Sequence, residues 1–303
     1  MTDKTPRKAF TKKNRARADS LRHRAYFENT PVYEHGAEHS SEGRIRVGLS
    51  SSSVYPMTVE NTFNIAAGLG YDGVEIMITD NPGTQSASHI LEHSQRTGLP
   101  VLSLHAPTLL LLPRVMHKDN WEKLRLTAKL ATDVGAETVV LHPPFRWQGD
   151  YARGFVDGVR RLTRETGMRL AVENMYPWRA GVRGLQIYYP DWNPLDEDYD
   201  HMTFDFSHAA TAGMNALETL QSIHDRVRVL HVTDGAGSLM DEHLVPGRGK
   251  MPVKECLQYL AKVNWSGDAV IEVNTRFVAK KSTRMDMLAE SLAFTRKHLG
   301  LNG

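Results

Sequence analysis

Six apolar runs of this chain end on, or just before, a group able to bind a cation or move a proton. His105 ends Val101–His105, His142 ends Thr138–His142 and Glu173 ends Arg169–Glu173. Asp205 lies in Met202–Phe206 with His208 three residues on, His231 lies in Val227–Val232, and Glu272 lies in Ala269–Val273. The segment after the Val227 run adds Asp241 and His243 in DEHLVPGRG. Any one of these is most often a hydrogen-bonded structural group; the case rests on their convergence. Four carboxylates and five imidazoles in one place are costly without a cation. Imidazole and carboxylate without thiolate suit a divalent ion such as zinc, manganese, magnesium or cobalt. Nine donors exceed one coordination shell, so one to three ions are expected.

To meet, these groups must sit on elements that start and stop in step. Two more runs, Ile45–Leu49 and Gly73–Met77, bring the total to eight. Their nearly continuous apolar character fits strands buried on both faces. Between them, segments such as Thr58–Leu69, Asn120–Val134, Tyr151–Thr166, Ala216–His224 and Val253–Val263 carry apolar residues at helical spacing. Gly70, Gly98, Gly135, Gly167 and Gly267 are read as helix ends. Eight βα units predict an α/β fold, a (β/α)8 TIM barrel, whose C-terminal mouth would gather the strand-end residues. An open doubly wound sheet would want a Gly-rich first turn, and Ser50–Ser53 stand there instead. The long connection Met175–His201 holds Tyr176, Trp178, Tyr188, Tyr189, Trp192 and Tyr199, which predicts an ordered lid.

Composition narrows the class. The 303 residues carry a formal net charge of +2, with 37 basic and 35 acidic side chains. Residues 1–24 hold nine Lys and Arg against two Asp, which leaves 28 basic and 33 acidic side chains elsewhere. The reading is a basic, flexible extension over 1–43 followed by one slightly acidic barrel over 44–303. An acidic barrel disfavours a long nucleic-acid footprint. The single Cys256 excludes a disulfide framework and a thiolate zinc site, and fits a reducing, cytoplasmic setting. No membrane span or secretory signal is expected. Self-association into a homo-oligomer is left open.

The motifs resemble the xylose-isomerase-like TIM-barrel superfamily, which includes sugar isomerases, ketose 3-epimerases and endonuclease IV. HLVPGRGKMPV resembles the VPGxGxxPW segment of the ketose 3-epimerases, whose four metal ligands map onto Glu173, Asp205, His231 and Glu272. The endonuclease IV pattern also matches, in DxxHAxxAG (Asp205–Gly213) and DxHxxxGxG (Asp241–Gly249). That resemblance implies one ion on His105, His142 and Glu173, a second on Glu173, Asp205, His231 and Glu272, and a third on His208, Asp241 and His243. The first resemblance implies a divalent-metal-dependent sugar or sugar-phosphate isomerase or epimerase working through a metal-stabilised enediolate. Glu173 and Glu272 would be its acid/base pair and His208 would hold a substrate hydroxyl. Arg146, Arg179, Arg248 and Arg276 are candidates for an anionic end, and Trp147 and Trp178 for stacking on a sugar face. The second implies a two- or three-metal phosphoester hydrolase. The first two βα loops, SSSSVYPM and ITDNPGTQ, lack recognisable DNA-recognition character, so a small substrate is preferred. A non-catalytic ligand-binding barrel is a third class. Glu75 is read as orienting its neighbours, and Asp234 as accepting a hydrogen bond from an imidazole.

Overall fold

The computed structural model describes residues 44–107, 115–180 and 183–301. The basic extension expected over 1–43 lies outside the described residues. The eight barrel strands are β1 (Ile45–Ser50), β2 (Gly73–Met77), β3 (Val101–His105), β4 (Thr138–Leu141), β5 (Arg169–Glu173), β8 (His201–Asp205), β9 (Val227–Val232) and β10 (Gly267–Ile271). All pair in parallel, and β1 closes the ring against β10. β6 (Trp178–Ala180) and β7 (Arg183–Leu185) form a separate antiparallel hairpin within the long connection after β5.

The apolar periodicities explain this layout. Val47, Leu49, Val74, Ile76 and Ile78 are fully buried and join the shell between strands and helices. Each such side chain contributes roughly 1.5–3 kcal/mol on burial. A smaller cluster of Val140, Val229 and Val270 fills the barrel interior. Gly48 and Gly73 leave room for Leu102: a Cβ on either would lie 2.6 Å from its side chain. The β2–β3 register skips beside it, passing from Val74 opposite Val101 to Glu75 opposite Ser103. One inserted residue of this kind re-aims the side chains beyond it.

Helix ends follow their local signals, with two departures. Thr58 and Asn61 form a reciprocal cap at the start of helix Val59–Leu69, and Gly70 ends it in the left-handed region. Gly267 does not end a helix. Helix Val253–Lys262 closes through Asn264, which takes φ 53° as Asn tolerates, while Gly267 opens β10. A side chain at Gly267 would strike the ring of Trp265. The expected helix over Tyr151–Thr166 is two, Gly149–Arg153 and Phe155–Thr166, parted at Gly154. Among the described residues, no helix is long and apolar enough to cross a membrane.

Candidate metal centre and its cavity

All nine strand-end candidates meet at the C-terminal mouth. His105 and Glu173 are the last residues of β3 and β5, while His142 and Glu272 stand just beyond β4 and β10. Asp205 ends β8 and caps the helix Phe206–Ala212 that follows at once; its Oδ1 accepts from the backbone N–H of His208 at 2.7 Å. This turn brings His208 back over the mouth. Asn174 braces it, accepting from the Asp205 backbone N–H at 2.8 Å and donating to the Asp205 carbonyl at 3.1 Å.

Glu173 is the hub. Its Oε2 lies 3.3 Å from His105 Nε2 and 3.1 Å from His142 Nε2. Its Oε1 lies 3.1 Å from His231 Nδ1 and 3.2 Å from His208 Nδ1. His231 Nδ1 also faces Glu272 Oε2 at 2.8 Å and Asp205 Oδ2 at 3.6 Å. A third grouping centres on Asp241 Oδ2, 3.2 Å from His208 Nε2 and 3.0 Å from His243 Nε2.

These residues fit a cation. Asp205 Oδ2 is buried and has no hydrogen-bond partner among the described residues. Ligand atoms of His105, His142 and Glu173 lie within 4.8 Å of one another, as do those of Glu173, Asp205 and His231. Backbone carbonyls orient three of the imidazoles. His105 Nδ1 is 3.0 Å from the Ala106 carbonyl, His208 Nδ1 is 2.9 Å from that of Asn174, and His243 Nδ1 is 2.7 Å from that of Glu272. In each ring Nε2 then faces a carboxylate, the usual way a ligating imidazole is fixed.

Electrostatics tell the same story. Burial opposes ionisation of Glu173, yet His231 and His142 hold its carboxyl well below the usual range. Burial likewise opposes charge on His231 and His208; Glu272 and Asp205 respectively lead the charges that drive them well above the ordinary histidine value. His243 is pushed up to about 10, against burial, by Asp241. Glu272 is lowered to about 2, against burial, by His231. Without an ion, the carboxylates are balanced by protons on imidazoles such as His208, His231 and His243, and a divalent cation would displace the proton of any imidazole it binds.

Beside the centre, a cavity of about 540 Å³ opens on Glu272 and His243. Its opposite wall comes from the loops after β1 and β2, with Ser51, Ser52, Thr79, Asn81 and Thr84. Ser52 Oγ donates to Glu272 Oε1 at 2.8 Å, joining the walls. These serine, threonine and asparagine groups, set among Tyr55, Pro56, Met57, Val59 and Met77, are what sequence reasoning missed. Such residues are common in loops, and only the continuous Ser50–Ser53 run marked the place.

Of the basic candidates, Arg276 lines the cavity, with its guanidinium 5.1 Å from the Tyr55 ring centroid. Arg146 stands 5.8 Å over Tyr189. Arg248 lies outside the cavity, paired through Nε and Nη2 with the two oxygens of Glu290 on the outer helix Lys281–His298. Arg179 is on β6, and its side chain is outside the described ones. Trp147 stacks on Phe145 with ring centroids 4.7 Å apart, and Trp178 meets the same ring at 6.2 Å. Neither lines the cavity. The aromatic connection packs around Phe145, Met175 and Tyr188, and places the Tyr176 ring centroid 5.2 Å from that of His208. Tyr199 is instead a core residue against Phe155.

Asp234 does not touch an imidazole. Its buried carboxylate accepts four backbone N–H bonds, from Gly235, Gly247, Gly249 and Met251, at 2.8–3.1 Å. A Cβ on Gly249 would lie 2.2 Å from Asp234 Oδ1, so glycine is what lets the backbone close in. This clamp fixes both ends of the loop carrying Asp241 and His243. Within it, Ser207 Oγ donates to Asp241 Oδ1 at 2.6 Å and accepts from the His243 N–H at 3.0 Å.

A family profile described as Xylose isomerase-like TIM barrel matches residues 63–298. An uncharacterised protein of Mycobacterium leprae is 42% identical over 274 residues, covering 84% of this chain and 98% of the relative. Among solved structures, a D-tagatose 3-epimerase-like protein superposes with a TM-score of 0.61 at 24% identity, covering 83% of this chain and 98% of its own. The IolI protein with a bound zinc atom superposes with a TM-score of 0.64 at 16% identity, covering 84% and 99%.

Proposed function

Because the chain belongs to the xylose isomerase-like TIM-barrel family, we propose that it is a divalent-metal-dependent sugar or sugar-phosphate isomerase or epimerase of the cytoplasm. The observation that carries this reading is the junction of the two walls: a cavity lined by hydroxyl and amide groups set among apolar side chains such as Tyr55, Met57 and Met77 opens directly on Glu272 and His243. Hydroxyl and amide groups among apolar side chains suit a small ligand that carries hydroxyls, and the volume is in the range of small-molecule sites, roughly 300–1,000 Å³. The epimerase-like and zinc-bearing neighbours are in keeping with it.

Glu173, Asp205, His231 and Glu272 would hold the catalytic ion. Bound there, a divalent ion supplies polarisation of a substrate carbonyl and its neighbouring hydroxyl, favouring an enediolate. The protein's own groups do the rest. Glu173 and Glu272 stand on strands separated by β8 and β9, so they reach a bound sugar from different sides. Glu272 is the better placed to take a proton from the carbon beside the carbonyl. It borders the cavity, and Ser52 holds its other oxygen. Glu173 returns a proton on the other side. His208 positions a hydroxyl, and Arg276 takes the anionic end of a sugar phosphate or sugar acid.

The test is to incubate the metal-loaded protein with ketoses, ketose phosphates and keto sugar acids in deuterium oxide. Deuterium entering a carbon beside the carbonyl is expected; no exchange with any of them defeats the reading. A second reading is favoured by one observation, the assembly of all nine imidazole and carboxylate groups where an epimerase needs four. In that reading Glu173, with the imidazoles and carboxylates around it, would hold two or three ions, which would supply charge stabilisation for hydrolysis of a phosphoester. Nicking of an abasic duplex with three ions per chain would establish it, whereas one tightly held ion would exclude the three-ion form.

A further inference from the structure

His231 differs from its neighbours in how its second nitrogen is held. In His105, His208 and His243 a backbone carbonyl meets Nδ1. In His231, Nδ1 faces Glu173, Asp205 and Glu272, while Nε2 on the other side of the ring lies 3.3 and 3.4 Å from the two oxygens of Glu75. Glu75 is fully buried on β2. Its oxygens already accept from two hydroxyls, Ser103 Oγ at 2.7 Å and Ser50 Oγ at 3.3 Å. Ser103 reaches it because the β2–β3 register skips one residue, setting Glu75 opposite Ser103. Three strands thus contribute side chains to place one carboxylate beneath one imidazole.

From this geometry we infer that Glu75 is a positioning residue for the metal centre: it holds His231 as the Nε2–H tautomer and so presents the Nδ1 lone pair to the ion. The inference rests on the metal reading above. Imidazole nitrogens point in opposite directions, so a carboxylate on Nε2 cannot share an ion bound at Nδ1. A carboxylate in this place also raises the basicity of the ligating nitrogen more than a carbonyl does. His231 therefore becomes the strongest imidazole donor of the centre, facing three carboxylates that disperse the charge of the ion. One competing arrangement exists. Oxygens of Glu75 and Glu272 and a nitrogen of His231 lie within 4.8 Å of one another, which would suit an ion held by Glu75 directly.

The experiment measures zinc stoichiometry and affinity by competition with a chromophoric chelator, for the full-length protein and for Glu75→Gln and Glu75→Leu. Glu75→Gln keeps the shape and one acceptor but loses the charge. Outer partners of a ligating histidine are typically worth 10- to 100-fold in metal affinity. The expected result is unchanged stoichiometry with about tenfold weaker binding in Glu75→Gln and about 100-fold in Glu75→Leu. In ¹⁵N-histidine spectra of the zinc-loaded wild type, His231 should carry its proton on Nε2. Cobalt-loaded Glu75→Gln should show a shifted visible spectrum, which a purely structural role would not produce. Wild-type affinity in Glu75→Gln, or the loss of one whole equivalent with the remainder bound as before, overturns the inference. If the wild type binds no zinc, cobalt or manganese at all, it is the metal reading that fails.

Discussion

The two walls of the barrel mouth are built on different principles. On the wall from β3 to β10, ionisable groups hold one another: Glu173 alone meets four imidazoles within 3.3 Å. On the wall from β1 and β2, hydroxyls and amides set among apolar side chains such as Met57 and Met77 face an open cavity, and Ser52 to Glu272 is where the two meet. The first wall gathers charge, and the second mixes hydroxyls with apolar surface; on the proposed function the second would recognise substrate. An enzyme that moves a proton on a sugar needs both, and changes to each should separate chemistry from binding.

The largest effect is expected from breaking the charged wall. Glu173→Gln should lower turnover by at least about 10³-fold, since a positioned acid or base alone contributes about 10²–10⁴. Steady-state kinetics with circular dichroism as the folding control checks this. Next comes pH. In the ion-free centre, His208, His231 and His243 lie above the ordinary histidine value, His243 at about 10. An ion held through His231 Nδ1 must expel the proton there, so affinity should fall as pH drops through the raised His231 range, by about tenfold per unit for that proton. Calorimetry at pH 7.5 in buffers of different ionisation enthalpy should register net proton release; a value of zero would contradict the assignment.

On the cavity wall, Arg276→Gln should raise KM for an anionic substrate about 10- to 100-fold and leave kcat nearly unchanged. That corresponds to the roughly 1.5–3 kcal/mol of a hydrogen bond to a charged group. Neutral sugars should be unaffected, and a matching loss for both would remove Arg276 from recognition. The smallest effect belongs to Arg248→Ala. Its pair with Glu290 is exposed, where such contacts are worth about 0–1 kcal/mol, so kinetics should not move and the melting temperature should change little.

The same contrast decides what was legible in the sequence. β2, β3 and β5 fall on the expected residues because continuous apolar runs bounded by turns leave little choice. The metal-ligand candidates stood out because ionisable groups at the ends of buried strands are unusual. Asp205 and Glu272 kept their place although β8 and β10 begin earlier than the apolar pattern implied. The cavity wall was hidden, since serine and threonine in a loop serve as often for turns as for ligands. Four arginines were equal on paper, and only tertiary geometry separates Arg276 from Arg248. The partnership of Glu75 with Ser103 depends on a skipped register, which no periodicity announces. The hairpin of β6 and β7 is three residues a strand, too short to leave a pattern.

The clamp on Asp234 has a consequence for how this barrel could diversify. One carboxylate fastens the loop after β9 where it leaves the barrel and again where it returns, and Ser207 ties down the ligand-bearing turn between. The tip, with Leu239 62% and Met240 70% exposed, hangs outside both fastenings. Residues there can be exchanged or lengthened at little entropic cost, since closure is set by the clamp and not by the tip. The loop is in effect a socket with a replaceable head, through which new substrate preferences could be fitted over an unaltered centre.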